Sequence, residues 1–228
     1  MINIKKHKLI NFFLFQLMLI SFSSCGQTPP NKYEEKEVVI NQVIKLSPGQ
    51  LFVQGMEYYN KGHYAKAIIT FKKTIESDSQ YLKAYNFLGL AYDEQGNYEQ
   101  AIAAFNSVLK INPQYVDALA NRGREFSIIG KYRESIADFN RVIKLRPSLE
   151  LAYFGRGRSY YDLGEYQKAL KDYEHCIRLA PRDGSAYHEM GVVKQALKDI
   201  NGACEAWKKG IEVGSESSKM KYNSYCKK

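Results

Sequence analysis

The sequence predicts an all-α solenoid of five stacked helix–turn–helix units with a C-terminal capping helix, preceded by an export signal and a tether. Three observations predict it. From Pro48 the chain repeats itself every 34 residues, five times without an insertion, as far as Ser217. Within each block the apolar residues keep helical spacing, with a glycine interrupting them near the middle in four of the five. The first 25 residues have a composition unlike anything that follows.

At the N-terminus, Lys5, Lys6, His7 and Lys8 are followed by an apolar run from Leu9 to Phe22. Fourteen helical residues rise about 21 Å, short of a hydrocarbon core of roughly 30 Å, so a secretory signal is expected rather than a mature spanning helix. The run ends Ser23-Ser24-Cys25-Gly26, which resembles the bacterial lipobox, with Phe22 where that pattern usually has Leu. The resemblance implies a signal over 1–24, lipidation at Cys25 and an exported, membrane-anchored lipoprotein facing the periplasm or the cell surface. An ordinary signal cleaved nearby, or an uncleaved anchor, are the alternatives. Residues 25–47 then form a tether, stiffened by Pro29-Pro30. Residues 37–46 within it are apolar enough to dock as a strand or as a helical turn.

The 228 residues carry 33 Lys+Arg against 24 Asp+Glu, a net charge of +9, with a mean hydropathy of −0.43 that excludes a polytopic membrane protein. Residues 1–24 hold three lysines and no acid, so the mature excess falls to +6. Export also removes DNA and cytosolic RNA from the expected partners.

The five blocks are 48–81, 82–115, 116–149, 150–183 and 184–217, leaving 218–228 as the cap. Position 8 is glycine in all of them: Gly55, Gly89, Gly123, Gly157 and Gly191. Position 15 is Gly62, Gly96, Gly130 and Gly164, then Lys198. Position 20 is small and position 24 aromatic, from Ala67 and Phe71 through to Ala203 and Trp207. Each recurrence has a physical role. Small residues at 8 and 20 let two helices approach, the aromatics fill the space beside them, and the glycine at 15 makes the turn. Pro113, Pro147 and Pro181 stop the second helices of the middle blocks. Ser47-Pro48-Gly49-Gln50 starts the first helix, with a capping-box pair and a proline at the first helical position.

This pattern resembles the tetratricopeptide repeat, a 34-residue helix–turn–helix unit. The resemblance spans 48–217 and implies a right-handed solenoid, atypical end repeats and a concave groove lined by positions 2, 5, 9, 12 and 13 of the first helices. Carried over, the groove is Phe52, Met56, Tyr59, Asn86, Leu90, Asp93, Arg124, Phe154, Arg158, Tyr161, His188, Val192 and Gln195. Its aromatics and arginines suit an extended peptide, since rings hold side chains and guanidinium groups hold carboxylates. An unspecialised solvated face is the alternative. The family's clamp for chaperone tails is not matched.

Arg122 and Arg156 occupy position 7, usually apolar in the family, and in those two blocks alone position 23 is aspartate, Asp138 and Asp172. Elsewhere the pairs are Gln54 with Thr70, Leu88 with Ala104 and Met190 with Ala206. This points to structural ion pairs Arg122–Asp138 and Arg156–Asp172 rather than to a ligand site. Cys176, at a small core position, reads as an inert buried thiol. Cys204 faces whatever follows the fifth repeat and Cys226 lies in the cap, so outside the cytoplasm a Cys204–Cys226 disulfide would pin the cap.

No catalytic or metal-binding motif occurs, and His63, His175 and His188 are isolated, so no enzymatic activity, cofactor or metal is expected. The expected function is a membrane-anchored scaffold binding proteins or peptides in the groove, with no nucleic acid among its partners. The layout is similar to bacterial tetratricopeptide lipoproteins that assist envelope assembly or secretion. A basic solenoid binding an acidic polymer such as RNA or polysaccharide is the rival reading.

Overall fold

The computed structural model describes residues 46–227; the export signal, Cys25 and the tether up to residue 45 lie outside the described residues. The described residues form eleven helices and no strand. In order they are α1 (Pro48–Asn60), α2 (Tyr64–Ser77), α3 (Leu82–Asp93), α4 (Tyr98–Ile111), α5 (Val116–Ile128), α6 (Tyr132–Leu145), α7 (Glu150–Asp162), α8 (Tyr166–Leu179), α9 (Gly184–Ala196), α10 (Ile200–Glu212) and α11 (Glu216–Tyr225). Each 34-residue block is one antiparallel helix pair, and consecutive pairs stack into an α-solenoid. None of these helices is long and apolar enough to cross a membrane.

Local chemistry sets the helix ends. The Ser47 hydroxyl accepts the Gln50 N–H at 3.3 Å while the Gln50 side chain accepts the Ser47 N–H at 2.9 Å, the reciprocal box that starts α1. In the turns between paired helices, Gly62, Gly96, Gly130 and Gly164 have φ of 73° to 77°, a left-handed conformation that costs a side-chain-bearing residue energy. Lys198 adopts it in the fifth turn at φ 65°.

Packing follows the sequence period. Ala67, Ala101, Ser135, Ala169 and Ala203 at position 20 are all fully buried, and Phe71, Phe105, Tyr173 and Trp207 at position 24 are as well. A Cβ built on Gly89 would lie 2.5 Å from the Phe105 ring, so position 8 is glycine because the ring of the paired helix lies against its backbone. Burying each such side chain contributes about 1.5–3 kcal/mol, which makes these rings the main cohesive element of every repeat.

First helices touch first helices in the neighbouring repeats (α1 with α3, α3 with α5, α5 with α7), whereas second helices mainly touch the first helices beside them. The stack therefore curves with its first helices inside, and the inner face is where a groove forms. At the far end α11 packs on both α9 and α10, covering the last pair as a further first helix would. Ser215 caps α11 by accepting the Ser218 N–H at 3.2 Å.

Candidate functional site

Each first helix turns toward the inner face once per turn, so residues from four different repeats meet there. A cavity of about 770 Å³ opens on that face, lined among others by Tyr59 of α1, Leu90 and Asp93 of α3, Arg124 of α5, and Phe154 and Arg158 of α7. A second hollow of about 530 Å³ shares Leu90, Asn121 and Leu151 with it and adds Phe52, Met56 and Asn86. The two run together as one groove across the first four repeats. Ile128 and Leu151, 49% and 55% exposed, give its floor apolar area with no cover among the described residues.

Not every residue named from the repeat register shares that groove. Asn86 borders the second hollow but is buried, and its Oδ1 accepts a hydrogen bond from Asn121 at 3.3 Å, so its role is to hold two first helices together. Tyr161 lies outside both hollows, its ring 5.5 Å from that of Tyr166. His188 borders a separate hollow of about 410 Å³ against the cap, with Met220, Lys221 and Tyr225, and burial lowers its pKa. Val192 and Gln195 line none of the three.

The groove also contains residues that the list from the register omitted. Glu94, Ile128 and Asp162 are all at position 13 and Leu151 at position 2. The same position rule covers them, so the signal was present. Tyr132 and Asn121, at positions 17 and 6, fall outside the rule, and only the packing brings them in.

Electrostatics changes the character of the groove. Arg124 Nη2 donates to Asp93 Oδ2 at 2.6 Å and lies 3.1 Å from Glu125 Oε1, while Arg158 Nε lies 3.6 Å from Asp162 Oδ2. Both arginines are therefore matched by carboxylates of the same chain. Glu125 is fully buried, and neither of its oxygens has a hydrogen-bond partner among the described residues. In the next repeat the same position is Ser159, whose hydroxyl meets that of Ser135 at 2.8 Å. The residue corresponding to Ser135 opposite Glu125 is Ala101, which has no polar group to offer. Burial raises the Glu125 pKa to about 7; Arg124 pulls it down and Asp93 pushes it up. The Tyr59 hydroxyl donates to Glu94 Oε1 at 3.4 Å, and burial followed by the Glu94 charge pushes its pKa up to about 12.

Away from the groove, Arg122 Nε and Nη2 donate to the two oxygens of Asp138, each at 2.7 Å, and Arg156 reaches Asp172 in the same way at 2.8 and 2.7 Å. Each guanidinium has a further partner in the preceding repeat, Asn106 or Asn140, at 2.6 Å. Gly155-Arg156-Gly157-Arg158 sits inside α7. Cys204 and Cys226 are joined by a disulfide across a Cα separation of 5.8 Å, and Cys176 is a buried thiol whose pKa burial raises. Among the described residues, no three His, Cys, Asp or Glu side chains gather into a metal site.

Family models described as the tetratricopeptide repeat match residues 51–81, 82–115, 116–149 and 150–183, a continuous stretch longer than half the chain. The chain belongs to the tetratricopeptide repeat family. Its fifth helix pair, α9 and α10, lies beyond the matched stretch. Among solved structures, the repeat domain is similar to a crystal structure of MamA, with a TM-score of 0.67 at 26% identity over 74% of this chain and 97% of that one. MamA 41-end from Desulfovibrio magneticus RS-1 gives a TM-score of 0.70 at 19% identity, covering 73% and 94%. YrrB, a tetratricopeptide protein with an unusual peptide-binding site, gives 0.67 at 18% identity, covering 83% and 97%. The last two likenesses are of fold alone. No curated protein matches the chain.

Proposed function

We propose that this tetratricopeptide protein is an exported, lipid-anchored scaffold that holds an extended peptide or partner helix of another protein in the groove of its first four repeats. The observation that carries the reading is the groove itself. It is preformed and has exposed apolar area at Ile128 and Leu151, bordered by Tyr59, Phe154 and paired charges. A preformed receptor loses little conformational freedom on binding. The peptide-binding site of YrrB is a precedent on the same fold. The lipobox resemblance at Cys25 supports anchoring, and the Cys204–Cys226 disulfide supports a compartment outside the reducing cytoplasm. An anchor confines binding to one membrane surface and raises the local concentration of partners there. The carboxylates of Asp93, Glu94 and Asp162 in the groove wall disfavour an acidic polymer as its occupant.

The test is crosslinking and recovery from intact membranes, comparing the native chain with a Tyr59→Ala/Phe154→Ala variant and with Cys25→Ser. Loss of the crosslinked partner from the groove variant, and loss of membrane association from Cys25→Ser, are the expected results. Partners that survive the groove substitutions but vanish on reversal of surface lysines would refute the groove reading. Membrane association that persists in Cys25→Ser would refute lipidation.

A further inference from the structure

The tetratricopeptide groove has unbalanced charge at one end, and that imbalance identifies its occupant. Around Arg124 stand three carboxylates: Asp93 at 2.6 Å from the guanidinium, Glu125 at 3.1 Å, and Glu94 beside Asp93 at the end of α3. The other charged groups in the cavity wall, Arg158 and Asp162 on α7, face each other and cancel, while α4 presents Ala101 to Glu125 by register. No lysine lines this end of the groove; Lys83 and Arg146, with Asp117, line the adjoining hollow. Arg124 is thus one cation against Asp93 and Glu94, with Glu125 a third carboxylate when ionised, so at least one positive charge is missing. The place left for it is bordered by the Tyr59 ring and the exposed Glu94 carboxylate, an aromatic face with carboxylates that suits an ammonium or guanidinium group.

We infer that the groove selects a peptide segment of a partner protein carrying a lysine or arginine flanked by apolar side chains, its cation seated between Tyr59, Asp93 and Glu94. The inference rests on the peptide-binding reading above and names the ligand chemistry. As the incoming cation takes Asp93, Arg124, already 3.1 Å from the buried Glu125, settles on that carboxylate, whose oxygens have no hydrogen-bond partner among the described residues. With Arg158 and Asp162 paired, one ligand cation leaves two cations against Asp93 and Glu94 while Glu125 is protonated, and two against three once it ionises. In the free protein burial is the main cause of the raised Glu125 pKa, with Arg124 opposing it and the Asp93 charge adding to it. Adding a cation therefore favours ionised Glu125, and binding releases a proton to solvent. An acidic ligand would instead drive proton uptake. The flanking apolar side chains lie over Ile128 and Leu151.

The experiment is panning of a random peptide display library on the full chain in detergent, followed by titration calorimetry of recovered peptides in buffers of different ionisation enthalpy. Enrichment of lysine or arginine at one position, at least tenfold weaker binding to Asp93→Asn/Glu94→Gln, and proton release that disappears in Glu125→Gln are expected. Circular dichroism of the variants confirms that they fold. Peptides that need Tyr59 and Phe154 but are acidic or uncharged, or that take up protons, overturn this inference and leave groove binding standing. Recovery of no peptide, or of peptides indifferent to Tyr59→Ala/Phe154→Ala, overturns both.

Discussion

Arg122 places Nε and Nη2 on the two carboxylate oxygens of Asp138, both at 2.7 Å, with the guanidinium 17% and the carboxylate 4% exposed. A pair buried to this degree is costly to break from one side, because the survivor keeps its charge without its partner. Asp138→Ala is expected to destabilise the chain by about 2–4 kcal/mol. The sequence itself supplies the apolar alternative in the preceding repeat, Leu88 with Ala104 at the same two positions. Arg122→Leu/Asp138→Ala is therefore expected to recover most of the loss, as read by urea unfolding of the two variants. A double variant no better than the single one would contradict the pairing account.

Lys198 holds a left-handed backbone at φ 65° where four other repeats use glycine. Replacing it with glycine removes the steric cost but adds freedom to the unfolded chain. The net expectation for Lys198→Gly is a gain of about 0.5–1 kcal/mol, seen as a higher Tm. The reciprocal Gly130→Ala is expected to lose about 1–2 kcal/mol, because a methyl group then occupies that conformation.

The fold was legible because five copies of one pattern stand in register, so each recurring residue is an independent reading of the same packing. Gly89 against Phe105 is the physical content of the position-8 and position-24 recurrence. The arginine–aspartate pairs could be seen because Arg122 and Arg156 change together with Asp138 and Asp172. Asn106 and Asn140 carried a similar signal that went unread: asparagine stands at position 25 only in the two repeats that precede an arginine at position 7. The groove was less legible. A position rule identifies which residues turn inward but not which charges meet there, so Arg124 and Arg158 read as free carboxylate binders. Their pairing with Asp93 and Asp162 depends on distances set by the stacking. Glu125 was missed because position 10 carries no recurring type: the other repeats have Glu57, Ala91, Ser159 and Val193 there.

Glu125 gives stability a pH dependence of known sign. Its folded pKa of about 7 lies above the ordinary value of 4.5, so the folded chain holds this proton more tightly than the unfolded one. The contribution is intact below pH 4.5 and is lost as pH rises towards 7, with little further change above. Subtracting the unfolding free energy of Glu125→Gln isolates it: the native-minus-variant difference should fall by about 3 kcal/mol between those limits. A difference that stays flat or rises across the window would contradict the buried-carboxyl assignment.

The Cys204–Cys226 bond closes a sequence separation of 22 and ties α11 to α10. Cys226→Ser is expected to cost about 2–4 kcal/mol, concentrated at the C-terminal end because solenoid repeats are stabilised by their neighbours. Hydrogen exchange should show the α11 amides losing protection first while α3 to α6 stay protected. Uniform loss along the whole chain would mean that the cap acts on more than its own end.

The account rests on the inner face of the first helices being the binding face. Its most direct test is site-specific photocrosslinking in intact membranes, with the reactive side chain placed at Ile128 or Leu151 in the groove and at Lys171 on the second helix α8. Adducts to a partner protein from both groove positions, and none from Lys171, are the predicted result. Adducts from Lys171 with none from Ile128 or Leu151 would contradict it.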